Sequence, residues 1–169
     1  MAKHISLREF QQALAARLAE AGTETAPHAR LGVQAGGRLW LIRLDDAGEV
    51  LPLPAVTPVP LTRQWFLGLA NIRGNLACVV DFAALMGEPP TERVPDCRLV
   101  LVAERFGAHS GLLVARMMGL RNIHQFEAEP GETDRPWVRG AFRDSDGRRW
   151  CELDLGVLVA HGDFLQAGV

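Results

Sequence analysis

The apolar positions divide the chain into two regions with different rhythms. Over residues 6–21, Leu7, Phe10, Leu14 and Leu18 recur at three- and four-residue spacing, which places them on one face of a helix. Ser6 and Glu9 have the spacing of a capping box, and Gly22 suits the helix end. Residues 23–30, with Pro27, read as a linker. From Leu31 onward the apolar residues fall into short runs punctuated by glycine and proline, the pattern of strands and tight turns.

Residues 31–35 and 38–44 flank Gly36-Gly37, a turn that needs positive φ, and so predict a hairpin. Residues 49–59 carry Pro52, Pro54 and Pro58 and can form only an interrupted or edge strand. Residues 66–72 and 76–80 flank Arg73-Gly74-Asn75, a second hairpin, followed by a helical turn over 81–86 capped by Asp81. The unbroken apolar run 99–103 predicts a buried strand, with a return at 111–115. Residues 120–126 read as extended, 127–135 as a loop, and 137–142 with 149–153 as a third hairpin. Residues 154–160 then form a helix capped by Asp154, and 163–167 a short terminal piece.

This order of elements occurs twice. Trp65, Gly68, Gly74, Cys78, Asp81 and Leu85 are matched by Trp137, Gly140, Gly147, Cys151, Asp154 and Leu158. Upstream, Gly37, Leu44 and Val50 correspond to Gly107, Val114 and Leu120. The unit is about seventy residues long, longer than solenoid repeats. The pattern predicts a mainly β protein of two pseudo-repeated small lobes, over approximately 31–95 and 96–160, behind an N-terminal segment 1–30. Short strands between Gly and Pro turns favour barrels, which close their own edges.

Composition narrows the function. With 169 residues, 48% of them hydrophobic, the chain has enough apolar surface for a packed core. The net charge of −2, spread along the chain, argues against nucleic acid as a partner. Three cysteines without a C-x-x-C pair, two of them in apolar runs, predict buried free thiols and a reducing compartment. The N-terminus lacks an apolar signal-peptide core, and no run reaches the roughly 20 apolar residues of a membrane span, so a cytoplasmic protein is expected.

Candidate chemistry is sparse. The repeated Asp81 and Asp154 invite comparison with a two-lobed aspartic hydrolase, whose paired carboxylates share a proton. That chemistry needs Ser/Thr-Gly after each aspartate, whereas Phe82-Ala83 and Leu155-Gly156 follow here. His4, His28, His109, His124 and His161 lack metal-ligand spacing; Ser110 and Ser145 lack a nucleophile elbow. No cofactor or metal is expected. Asn71-Ile72-Arg73-Gly74 remains, either a plain turn with a solvated arginine or a binding element.

Residues 65–74, WFLGLANIRG, followed by Val79-Val80-Asp81-Phe82, resemble the signature of CheW-like coupling proteins. The resemblance extends to Gly111-Leu112-Leu113-Val114 and Leu153-Asp154-Leu155, covers roughly residues 31–160, and is nearest the pilus-associated branch of twitching-motility systems. It implies two five-stranded SH3-like barrels, no enzymatic activity, and a hydrophobic groove that takes the helical tip of a chemoreceptor. The first lobe would bind the regulatory domain of a CheA-type histidine kinase. Position by position it implies Glu49 and Arg73 as a charged pair, with Leu44, Ala47, Val50, Met117 and Leu120 as groove positions. Departures are Ala115, where family members often carry aspartate, the bulky Arg116-Met117-Met118, and the small Ala47. A rival reading is a pair of SH3-like barrels that binds peptides in another signalling complex.

Overall fold

The computed structural model describes residues 26–131 and 133–169; the helix expected over 6–21 lies outside them. The apolar runs form β1 (Ala29–Ala35) and β2 (Arg38–Arg43), then a 3-10 turn (Leu44–Asp46) and β3 (Ala47–Pro52). The second hairpin is β4 (Phe66–Ile72) and β5 (Asn75–Asp81), with the helical turn α1 (Phe82–Leu85) behind it. Next come β6 (Arg98–Val102), a 3-10 turn (Glu104–Phe106), β7 (Ser110–Val114) and β8 (Arg116–Asn122). A further 3-10 turn (Ile123–Gln125), β9 (Glu127–Glu129), β10 (Val138–Arg143) and β11 (Arg149–Leu153) precede α2 (Leu155–Ala160) and α3 (Gly162–Leu165). Three expectations shift: Ala29 and Arg30 belong to β1 rather than a linker, residues 123–125 coil, and β9 lies inside the expected loop 127–135.

The strands form two sheets, ordered β8-β1-β2-β11-β10-β9 and β3-β6-β7-β5-β4. Aligning the repeats equates β1, β2, β3, β4 and β5 with β6, β7, β8, β10 and β11. The two orders are then the same order, with β9 as an addition. Each sheet takes the first two strands of one repeat and the last three of the other. The lobes are therefore not the segments 31–95 and 96–160, because each repeat contributes to both sheets. Periodicity marks which side chains are buried; it does not mark the sheet that buries them.

Nor are the barrels closed by hydrogen bonds. Among the described residues no ladder joins β3 to β4, or β8 to β9. Prolines at 52, 54, 58 and 60 remove the donors that would carry β3 onward. A single bridge, Thr57 to Leu69, covers the outer edge of β4 instead. The central strands run parallel to partners far away in sequence, β2 with β11 and β5 with β7. Both are buried on two faces: Trp40, Leu41 and Ile42 in β2, and all five residues of β7.

The recurring Trp-x-x-Gly has a structural cause. In each repeat the ladder slips at the glycine, between Phe66 and Gly68 and again between Val138 and Gly140. The tryptophan carbonyl before each bulge accepts the N–H of the capping aspartate at 2.7 Å, Trp65 from Asp81 and Trp137 from Asp154. Gly68 has φ +135°, and a Cβ there would run into the carbonyl of Thr57. Between the sheets lies the main core, with Trp40 edge-on to Phe82 at 4.9 Å and Trp137, Leu112, Leu153 and Leu158 around them.

Candidate functional site

Arg73 occupies the turn between β4 and β5 with φ +52°, a left-handed conformation uncommon for a non-glycine residue. Asn71 steadies the turn by accepting the Gly74 N–H at 2.8 Å. From that position Arg73 Nη1 donates to Glu49 Oε2 at 2.7 Å and Nη2 to Oε1 at 2.5 Å, a bidentate pair. Glu49 lies on β3 and Arg73 beyond β4, the two outermost strands of the five-stranded sheet. The pair closes by side chains what the backbone leaves open. Arg73 remains mostly exposed, its side chain at 76%.

The other groove positions divide between the sheets. Ala47 and Val50 sit on β3 opposite Val102 and Val100, half-buried against the main core. Leu44 is 37% exposed in the turn that leads to β3. That turn is anchored by Asp46, a buried carboxylate that accepts from Arg105 Nη2, while Arg105 Nη1 donates to the Asp45 carbonyl. Met117 and Leu120 lie on β8, the edge of the six-stranded sheet, opposite Val33 and Leu31. Met117 packs on the core; Leu120 is 63% exposed. Only Glu49 and Arg73 of the seven are seen in direct polar contact.

Two features escape a reading of the sequence. One is a buried ion pair, Arg30 to Glu152 at 2.7 Å, whose members are 122 residues apart. The other is an open cleft of ≈ 460 Å³ beside Arg73, lined by Ile72, Leu76, Ala77 and Leu101 together with Glu49, Glu104 and His109. Leu76, 64% exposed at the start of a strand, was its one visible signal.

The catalytic readings meet contrary geometry. Asp81 accepts the Ala84 N–H at the start of α1 and both the N–H and hydroxyl of Thr91. Asp154 accepts the Val157 N–H and Arg139 Nε, at 3.1 and 2.6 Å. Burial works against ionisation of Asp154, but these hydrogen bonds hold its carboxyl below the usual range. Each aspartate thus caps its own helix. His28 and His124, distant in sequence, bring their rings within 4.2 Å, yet no group of three metal-ligating side chains gathers among the described residues. Cys97 and Cys151 are buried, whereas Cys78, expected to be buried, is half-exposed because β5 offers it to an open cleft beside Phe106 and Phe164.

The interleaved repeats, with a bulge at each Trp-x-x-Gly, agree with the CheW-like domain that the sequence resembles. A family model of that description matches residues 30–163, and the chain belongs to that family. Among its relatives is Protein PilI of Pseudomonas aeruginosa, 30% identical over 82% of this chain and 79% of that one. The chemotaxis protein CheW of Rhizobium meliloti is 24% identical over 74% and 83%. The crystal structure of the scaffolding protein TtCheW from Thermoanaerobacter tengcongensis shares the fold, with TM-score 0.68, 22% identity and coverage of 81% and 95%. The family is one of non-enzymatic scaffolds, and the hydrolase reading is set aside.

Proposed function

We propose that this protein is a cytoplasmic adaptor that couples the helical tip of a chemoreceptor to the regulatory domain of a CheA-type histidine kinase. Its likeness to PilI supports a system that drives type IV pili. The observation that carries the reading is the Glu49–Arg73 clasp, exposed at a sheet edge beside the half-buried Ala47 and Val50. An amphipathic helix needs apolar contact flanked by charge, and this edge offers both. No helix among the described residues is long and apolar enough to cross a membrane.

Titration of receptor tip and kinase regulatory domain against four proteins tests it: unsubstituted, Arg73→Glu, Glu49→Arg and the double reversal. Each single reversal sets like charges together at the interface and should weaken binding by about 2 kcal/mol or more. Thermal stability should change little, since an exposed pair is worth about 0–1 kcal/mol. The double reversal should recover part of the loss. Unchanged affinity in Arg73→Glu, with a normal melting temperature, would remove Arg73 from the site.

A further inference from the structure

The edge strands β3 and β8 are equivalent in the two repeats, and each ladder carries the same irregularity. Pairing slips between Ala47 and Val50 against β6, and between Gly32 and Val33 where β1 meets β8. Residues three apart would otherwise point to opposite faces of a strand. The slip instead sets Ala47 and Val50 opposite Val102 and Val100, and Met117 and Leu120 opposite Val33 and Leu31. All four partners belong to the main core, so the four edge residues share its side. Ala47, Val50 and Met117 pack on that core only in part, and Leu120 is 63% exposed. Two equivalent edges thus flank an apolar strip, with Leu44, 37% exposed, at one end.

The described chain begins at that end. A 3-10 turn at Ala26–His28 packs beside the turn Leu44–Asp46, and the His28 ring meets His124, just beyond β8, at 4.2 Å. Arg30 Nη1 anchors this start by donating to the Pro27 carbonyl at 3.0 Å. The residues before Ala26 therefore join the fold between Leu44 and the end of β8. From residue 21 to Ala26 the chain can span at most about 18 Å.

We infer that the strip is the docking site of the chain's own residues 6–21, which a receptor helix must displace in order to bind. Leu7, Phe10, Leu14 and Leu18 offer in cis the apolar stripe that the groove asks of a receptor helix. A helix of that length is marginal in water by itself, so the stripe needs an apolar surface to cover it. At helical rise Leu7 to Leu18 measures about 16 Å, which matches the short edges of β3 and β8. Leu18 then lies at the Leu44 end, and Phe10 and Leu7 toward Val50 and Met117. The short tether gives the segment a local concentration on the order of millimolar. The displacement rests on the adaptor reading; the docking does not.

Two measurements separate docking from displacement. In the isotope-labelled full chain, Phe10→Asp with Leu14→Asp should shift the amides of Leu44, Ala47, Met117 and Leu120 and leave the melting temperature unchanged. A synthetic peptide of residues 4–22, added to that variant, should reverse the shifts saturably, and should lose its effect when Leu120→Asp is introduced as well. Unmoved amides, movement confined instead to the cleft at Phe106 and Phe164, or a peptide without effect on the variant would overturn the docking. The second measurement is affinity for a receptor-tip helix. A segment docked about nine-tenths of the time lowers apparent affinity about tenfold, so the Phe10→Asp, Leu14→Asp chain should bind the tip about tenfold more tightly than the unsubstituted one. Equal affinities would overturn the displacement and leave the adaptor function standing. If neither chain binds the tip, yet the amides move and the peptide reverses them, the adaptor reading falls and the docked segment remains.

Discussion

Arg30 and Glu152 meet inside the six-stranded sheet, side chains about one-tenth exposed, with Arg30 also donating to the carbonyls of Pro27 and Ala29. Removing one member strands the other charge in the interior. Glu152→Ala should therefore cost about 3–5 kcal/mol in urea unfolding, and Arg30→Met with Glu152→Leu much less. Equal losses in the two would show that packing, not the unpaired charge, sets the cost. Carboxylates nearer the surface make the fold sensitive to acid. Burial opposes ionisation of Asp144, but the Trp150 indole and the Arg148 backbone and guanidinium hold it below its ordinary range. Asp154 is held down in the same way. Their unfolded value is about 3.9, so the stabilisation is complete above that and is lost as pH falls through the lower folded values. The urea midpoint should hold near neutrality, drop below about pH 4, and drop less steeply in Asp144→Asn. A midpoint indifferent to acid would refute this. Burial also pushes the Cys78 and Cys151 thiols up. Maleimide should reach Cys78 first, faster as pH rises, and Cys151 only on unfolding, as peptide mass spectrometry would show.

At the scale of elements, the two bulge glycines look alike in sequence and differ in surroundings. A Cβ on Gly68 collides with Thr57, whereas on Gly140 it meets only a ring carbon of Phe142 at 3.8 Å. Gly68→Ala should lose more than about 1 kcal/mol, while Gly140→Ala should stay within about 0.5 kcal/mol. Matched chemical denaturation of the two variants decides it. The contrast marks how far the sequence could be read. The hairpins, the interrupted edge strand β3 and the helix-capping aspartates were legible because turn chemistry, proline and capping act over a few residues. The Glu49–Arg73 clasp was legible only through family likeness, since nothing local draws residue 49 to residue 73. Arg30 looked like linker because its partner lies on β11.

For the whole molecule, the exchange of strands between repeats decides what can fold alone. Residues 26–95 hold β1 to β5 but none of the strands that join β2 to β11 or β3 to β6. Neither that fragment nor 96–169 should show a cooperative melt by circular dichroism, and mixing the two should restore it. An independently folded half would contradict the interleaved sheets. The same arrangement sets a schedule for biosynthesis. Trp40, Leu41 and Ile42 leave the ribosome early, yet their ladder partners are Cys151, Glu152 and Leu153. At about 5–20 residues per second, roughly 5 to 20 seconds pass before those partners are made. For that interval the most apolar strand of the six-stranded sheet has one flank uncovered, so the nascent chain, rather than the finished protein, is where chaperone dependence and aggregation should be sought.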